Sequence, residues 1–197
     1  FLEGVNERFA LSDAESADTP ITRRLCAECT NAHPTNAEVQ ECVEMYTKAT
    51  GVMIFAASSC RAECAYAAHF MSRFMHRPGP VHLRMARRAL GYLVVTKELG
   101  LEYNGCRSSS GSVTNQISSE SDPEYQHVSR PIGACDSNHD IGPSLTAYVF
   151  KMADAAVNWM CRLQKVASIS SSESEFYSMS SCVAMSLHVE NILQEMG

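Results

Sequence analysis

The pattern of polar and apolar positions changes at about residue 37. Residues 1–36 are rich in Asp, Asn, Pro and Ser, and this density of turn formers predicts an extended lead-in. From Ala37 to about Ser58 apolar side chains recur at helical spacing, and Asn36 is placed to cap the start. The pattern predicts a long, largely buried helix that carries Val39, Val43, Tyr46, Met53 and Ala57.

Two further helices are predicted before residue 97. The first, at about 61–75, ends at the Arg77-Pro78-Gly79-Pro80 run and would direct four side chains inward: Ala65, Ala68, Phe70 and Met71. The second, at about 81–96, has an apolar face formed by Leu83, Ala86, Leu90 and Leu93. Its other face carries Arg84, Arg87, Arg88 and Gly91 at positions i, i+3, i+4 and i+7.

Positive charge is concentrated in the same stretch. No Asp or Glu lies between Tyr66 and Lys97, although the chain as a whole has a net charge of −6. The stretch offers the local patch that contact with a phosphate backbone requires, and a solvated helix face would explain the same residues. The candidate nucleic-acid-binding residues are Arg73, Arg77, Arg84, Arg87, Arg88 and Lys97.

The second half of the chain has a different pattern. Residues 105–130 are rich in Ser, which indicates a linker or loop. A period near two then predicts strands at 132–136, 145–150 and 155–160, with a tight turn at 151–154, and three sequential strands favour an antiparallel meander.

A final helix is predicted from about Ser172 to Met196. Ser172 and Glu175 fit the Ser-x-x-Glu capping box at its start. Its apolar positions predict a buried face that consists of Phe176, Met179, Val183 and Leu187.

Composition limits the class of protein. With 197 residues, 45% of them hydrophobic and 19% charged, the chain can bury a core and is neither a basic coat protein nor a disordered acidic tail. Its longest apolar run, 51–57, is far below the roughly 20 residues of a membrane span, so we expect a soluble, intracellular protein. Since the chain starts at Phe1 without a Met, we also expect that residues preceded it.

Nine cysteines are scattered along the chain. Their odd number and the chain's length favour reduced thiols over a disulfide framework. Cys26, Cys29, His33 and Cys42 have ligand types suited to zinc, but their spacing matches no known zinc motif. We therefore expect these cysteines to pack as small apolar groups.

Several motifs resemble a known family. The stretch from Ala65-Tyr-Ala-Ala-His-Phe-Met-Ser-Arg-Phe-Met75 to Gly100-Leu-Glu-Tyr103 resembles the segment that joins reverse transcriptase to ribonuclease H in Ty1/copia retrotransposon polyproteins. Further matches to that family are Cys135-Asp136-Ser137-Asn138, Ser144-Leu-Thr-Ala-Tyr-Val-Phe150, Ala156-Val-Asn-Trp159 and Gln164-Lys-Val-Ala-Ser-Ile-Ser-Ser-Ser-Glu-Ser-Glu-Phe-Tyr177. The resemblance covers about residues 18–197.

The resemblance implies an α/β (α+β) chain with a defined division. It implies a helical reverse-transcriptase thumb or connection-like region at 37–104, after the lead-in at 1–36, and a truncated ribonuclease H-like domain at 131–197, after the linker at 105–130. In that family, ribonuclease H cleaves the RNA strand of an RNA:DNA hybrid with two Mg²⁺ or Mn²⁺ ions held by carboxylates.

Two residues match the family's metal-binding and catalytic carboxylates, namely Asp136 and Glu175, and Glu173 is a second candidate for the role of Glu175. The capping box predicted above would explain Glu175 without catalysis. Asn138 and His139 depart from the family's Asp and Trp, and the chain ends before the strand that would carry the third carboxylate.

The expected loss of that strand leaves three functions open. It would leave 132–136 as an unpaired edge that favours a protein partner. The chain would be an impaired hybrid nuclease, a non-catalytic nucleic-acid binder, or a structural subunit of a larger assembly.

Overall fold

The computed structural model describes residues 2–9, 11, 18–103, 131–138 and 144–196. The chain divides into a helical unit, Phe1–Gly100, and a sheet unit, Leu101–Gly197, so the predicted α+β class is confirmed. The helices are α1 (Leu2–Phe9), α2 (Arg23–Thr30), α3 (Asn36–Ser59), α4 (Ala65–Ser72), α5 (Pro80–Val95) and α6 (Ser171–Met196). The strands are β1 (Ile132–Asn138), β2 (Leu145–Met152) and β3 (Ala155–Leu163).

The predicted extended lead-in instead contains the helices α1 and α2. Val5 and Phe9 of α1 are buried in the same core as Leu25 and Cys29 of α2, and both helices contact α5. Burial of these few apolar side chains stabilises helices that are too short to persist alone. The turn formers of residues 1–36 separate the two helices rather than exclude them.

The core of the helical unit forms where α3 packs on α4 and α5. The Tyr46 hydroxyl of α3 donates a 2.7 Å hydrogen bond to the Met71 carbonyl of α4, so this polar group is satisfied within the core. The N-cap of α3 is Thr35, in a capping box with Glu38, and not the predicted Asn36. A 3₁₀ turn at Ala62–Cys64 precedes α4, where one helix from 61 to 75 was predicted.

The sheet unit contains the predicted antiparallel meander in the order β1-β2-β3. Ala153 and Asp154 join β2 to β3 with φ values of 51° and 66°, the left-handed conformation of a tight hairpin turn. Within the described residues β1 has a strand partner only on the β2 side, so it forms one edge of the sheet.

Helix α6 packs against the sheet with a different face from the one predicted. Its buried residues are Ser174, Ser178 and Cys182, which recur at i, i+4 and i+8. The predicted face is exposed, by 66% at Phe176, 47% at Met179, 53% at Val183 and 57% at Leu187. At 100° per residue the two faces lie on roughly opposite sides of the helix.

Small polar residues replace apolar ones at this contact because they complete hydrogen bonds. The Ser178 hydroxyl donates to the Asp136 carbonyl over 2.6 Å, and the Ser174 hydroxyl donates to the Asn138 carbonyl over 3.4 Å. Short side chains also let α6 approach β1 closely. Hydrophobic periodicity detects apolar groups and not hydroxyls of this kind, so the predicted face was wrong.

The helices of the described chain include none that is long and apolar enough to cross a membrane. The predicted linker at 105–130 lies outside the described residues, as do His139 and Asp140.

Candidate functional site

Asp136 lies in the C-terminal half of β1, and its side chain is exposed. Its Oδ1 accepts a 2.8 Å hydrogen bond from the Ser137 amide. Cys135 pairs with Tyr148, which packs in the small core beneath α6, so Cys135 lies on the face that α6 covers. Because strand side chains alternate, Asp136 belongs to the opposite face of the sheet.

Glu175 lies in the first turn of α6 and is exposed. The preceding residue, Ser174, contacts the Asn138 carbonyl, so this turn lies beside the end of β1 that carries Asp136. The structure thus brings together the two backbone segments that carry the predicted carboxylates.

The capping role predicted for Ser172 and Glu175 belongs to another pair. The Ser170 hydroxyl accepts a hydrogen bond from the Glu173 amide over 3.1 Å, and the Glu173 carboxylate accepts one from the Ile169 amide over 2.7 Å. This pair caps the start of α6, which begins at Ser171. The capping-box explanation for Glu175 is therefore wrong, and Glu173 is engaged as the cap.

These carboxylates fit a metal site only in part. Two ions that share a site need several converging oxygen ligands. In the parts of the chain that the structure describes, no group of three or more His, Cys, Asp or Glu side chains is arranged to hold a metal. A site of that kind would need donors beyond Asp136 and Glu175, and Asp136 lies on the face of the sheet opposite α6.

The predicted basic face of α5 is partly engaged by protein groups. Arg84 forms an ion pair with Glu28, which also binds Arg24. Arg88 donates a long 3.5 Å hydrogen bond to the Thr19 hydroxyl. Arg87 and Lys97 are exposed.

Arg73 and Arg77 lie apart from that face, in the turn that follows α4. They line a cavity of about 260 Å³ together with His33, His76 and His82. His33 comes from the turn between α2 and α3, some forty residues earlier, and sequence analysis did not place it with the arginines. The one feature of the sequence that pointed to a cationic site in this region was the absence of Asp and Glu from 66–97.

The fold and these residues define an α+β chain with a helical unit that carries a local cluster of arginines and a sheet unit with two exposed carboxylates near one strand end. The chain is 26% identical over 203 aligned positions, covering 100% of its length, to the "Retrovirus-related Pol polyprotein from transposon TNT 1-94" of Nicotiana tabacum. It is 32% identical over 139 positions, 70% of its length, to a transposon Ty5-1 protein of Saccharomyces cerevisiae. This chain therefore belongs to the Ty1/copia-type retrotransposon polyproteins.

The chain spans only 14% of the tobacco polyprotein and 40% of the yeast protein. A third relative, "Secreted RxLR effector protein 161" of Plasmopara viticola, is 27% identical over 135 positions, which are 68% of this chain and 84% of that protein. No family model matches the chain. No solved structure matches it either.

Proposed function

We propose that the sheet unit is a ribonuclease H-like module that acts on RNA:DNA hybrids, and that hydrolysis is impaired in this chain. Asp136 and Glu175 would be the carboxylates that hold Mg²⁺ or Mn²⁺, whose chemistry is to activate a water and stabilise the leaving oxygen. The relationship to retrotransposon Pol polyproteins supports a nucleic-acid substrate.

One observation carries this proposal: α6 returns across β1. The bonds from Ser174 and Ser178 to β1 carbonyls fix the first turns of the helix beside the strand end that bears Asp136. Glu173 caps the helix, so Glu175 is left exposed and available to a ligand. Impairment is expected because the described residues supply two carboxylates rather than a full set.

The test combines cleavage with metal binding. A labelled RNA:DNA hybrid is incubated with the full chain and Mg²⁺ or Mn²⁺, and we expect little or no product. In parallel, Mn²⁺ broadening of backbone NMR signals should centre on residues 136 and 175 and weaken in Asp136→Asn and in Glu175→Gln. Glu190→Gln, on the same helix, serves as the control.

Two results would overturn the proposal. If Mn²⁺ broadening is the same in Asp136→Asn, Glu175→Gln and the unchanged chain, then these two carboxylates do not bind the metal. Efficient cleavage that depends on Asp136 would confirm the nuclease and refute its impairment.

The alternative is a non-catalytic interaction module, and specific surfaces favour it. The edge of β1 and the exposed apolar face of α6 are both suited to a protein partner. The relative named as a secreted effector is similar to this chain over most of its own length. The same scaffold would then act in roles without hybrid cleavage.

A further inference from the structure

We propose that the cavity beside Arg73 and Arg77 is a binding subsite for a single phosphate group. Its polar lining consists of His33, Arg73, His76, Arg77 and His82, and its described lining includes no acidic residue. The volume of about 260 Å³ lies below the roughly 300–1,000 Å³ typical of pockets for whole small molecules. It suits one tetrahedral anion with water better than a complete nucleotide.

The cavity is built by close contact between two chain segments. Arg77 Nη2 donates a 3.1 Å hydrogen bond to the Pro34 carbonyl, which ties the turn after α4 to the turn before α3. A Cβ at Gly79 would lie 2.7 Å from Pro34 Cβ, so only glycine permits this approach. The walls are thus held by backbone packing as well as by side chains.

Both guanidinium groups are positioned by protein contacts that leave donors available. The Arg73 guanidinium carbon lies 5.3 Å from the centre of the Phe70 ring and 5.8 Å from that of Phe74, within range of a cation–π contact. A guanidinium has five N–H donors, and the Pro34 carbonyl accepts from one terminal nitrogen of Arg77. Positioned arginines of this kind favour phosphate oxygens.

The contrast with α5 identifies where an anion would bind. Arg84 on α5 is paired with Glu28. Among the described residues Arg73 and Arg77 form no ion pair with a carboxylate, so their charge is not neutralised by the protein. The cavity therefore concentrates positive charge that the predicted helix face has partly lost.

His82 shapes the cavity without adding charge. It is 1% exposed, and burial lowers its pKa, an effect that the nearby Cys29 carbonyl opposes. Its Nδ1 accepts a 3.0 Å hydrogen bond from the Gly79 amide, so the proton of the neutral ring lies on Nε2. Its ring centre lies 4.5 Å from that of Phe74, and both rings line the cavity.

The source of the phosphate follows from the proposed function, on which this part of the inference rests: the backbone of a bound nucleic acid. Free inorganic phosphate would use the same donors. The first experiment is an NMR titration of the full chain with inorganic phosphate, observing the arginine side-chain signals. We expect Arg73 and Arg77 to shift, and affinity to fall at least tenfold in Arg73→Gln.

Two variants control this titration. Arg8→Gln removes an exposed arginine of α1 and should leave phosphate affinity unchanged, whereas Arg77→Lys retains charge and should retain part of the affinity. Circular dichroism melting verifies that each variant is folded. Equal losses in Arg73→Gln and Arg8→Gln, or shifts spread over all exposed arginines, would overturn the subsite.

The second experiment measures hybrid binding by fluorescence anisotropy at several salt concentrations. Loss of one phosphate contact in Arg73→Gln should reduce the magnitude of the slope of log K against log salt by about one, and Arg8→Gln should not. Unchanged hybrid binding in a variant that has lost inorganic phosphate would overturn the nucleic-acid assignment. The proposed function is judged separately, because its readouts depend on Asp136 and Glu175.

Discussion

Gln164 connects three parts of the sheet unit. Its side-chain nitrogen lies 3.0 Å from the Thr146 hydroxyl of β2 and 2.9 Å from the Ser174 carbonyl of α6. Its backbone amide donates to the Ser144 carbonyl over 2.7 Å. Because Gln164 is buried, these bonds form where water cannot easily replace them.

We expect Gln164→Leu to lower the free energy of unfolding by about 1–3 kcal/mol, because the Thr146 hydroxyl and the Ser174 carbonyl each lose a buried hydrogen bond. Urea denaturation of the full chain, followed by circular dichroism, measures the change. Lys165→Leu alters the exposed neighbour and should change stability by less than about 0.5 kcal/mol. Equal effects of the two substitutions would show that Gln164 does not anchor α6.

At the scale of single elements, the N-terminal cap of α6 determines whether Glu175 has a structural role. Ser170 and Glu173 form the cap, whereas the sequence pattern favoured Ser172 and Glu175. Both pairs fit the Ser-x-x-Glu spacing within a run of serines, so spacing alone could not separate them. In the structure the cap is formed by Ser170 and Glu173, because the Ser170 hydroxyl accepts a hydrogen bond from the Glu173 amide.

This assignment predicts unequal effects of two neighbouring substitutions. Ser170→Ala should cost about 1 kcal/mol of stability because the Glu173 amide loses its acceptor. Ser172→Ala should cost much less, since Ser172 is exposed within the helix. Urea midpoints of both variants provide the measurement, and a larger loss in Ser172→Ala would restore the cap predicted from the sequence.

Regular elements were predictable where one physical signal dominated. Alternation located β1, β2 and β3 within about three residues at each end, and apolar periodicity located α3 and α5 within about one. α1 and α2 were missed because their stability comes from burial against α5 rather than from local sequence. For the site, β1 and the first turn of α6 could be anticipated from motifs, whereas the junction of His33 with Arg73 depends on tertiary packing.

At the scale of the whole molecule, the sheet unit differs from the helical unit because α6 buries polar residues and exposes apolar ones. The small polar residues of α6 contact β1, and its other face exposes apolar side chains to solvent. We define this apolar stripe as Phe176, Met179, Val183 and Leu187. β1 presents a strand edge in the described part of the same unit. Surfaces of these two kinds favour association when they remain uncovered.

We therefore expect the full chain to self-associate as its concentration rises. Phe176→Ser combined with Val183→Ser should shift sedimentation toward the monomer without a comparable loss of stability, because both side chains are exposed. Ala184→Ser, at an exposed position outside the stripe, should leave association unchanged. If the double variant instead unfolds, the stripe belongs to a core; if association persists undiminished, it arises elsewhere, and the β1 edge is the surface to alter next.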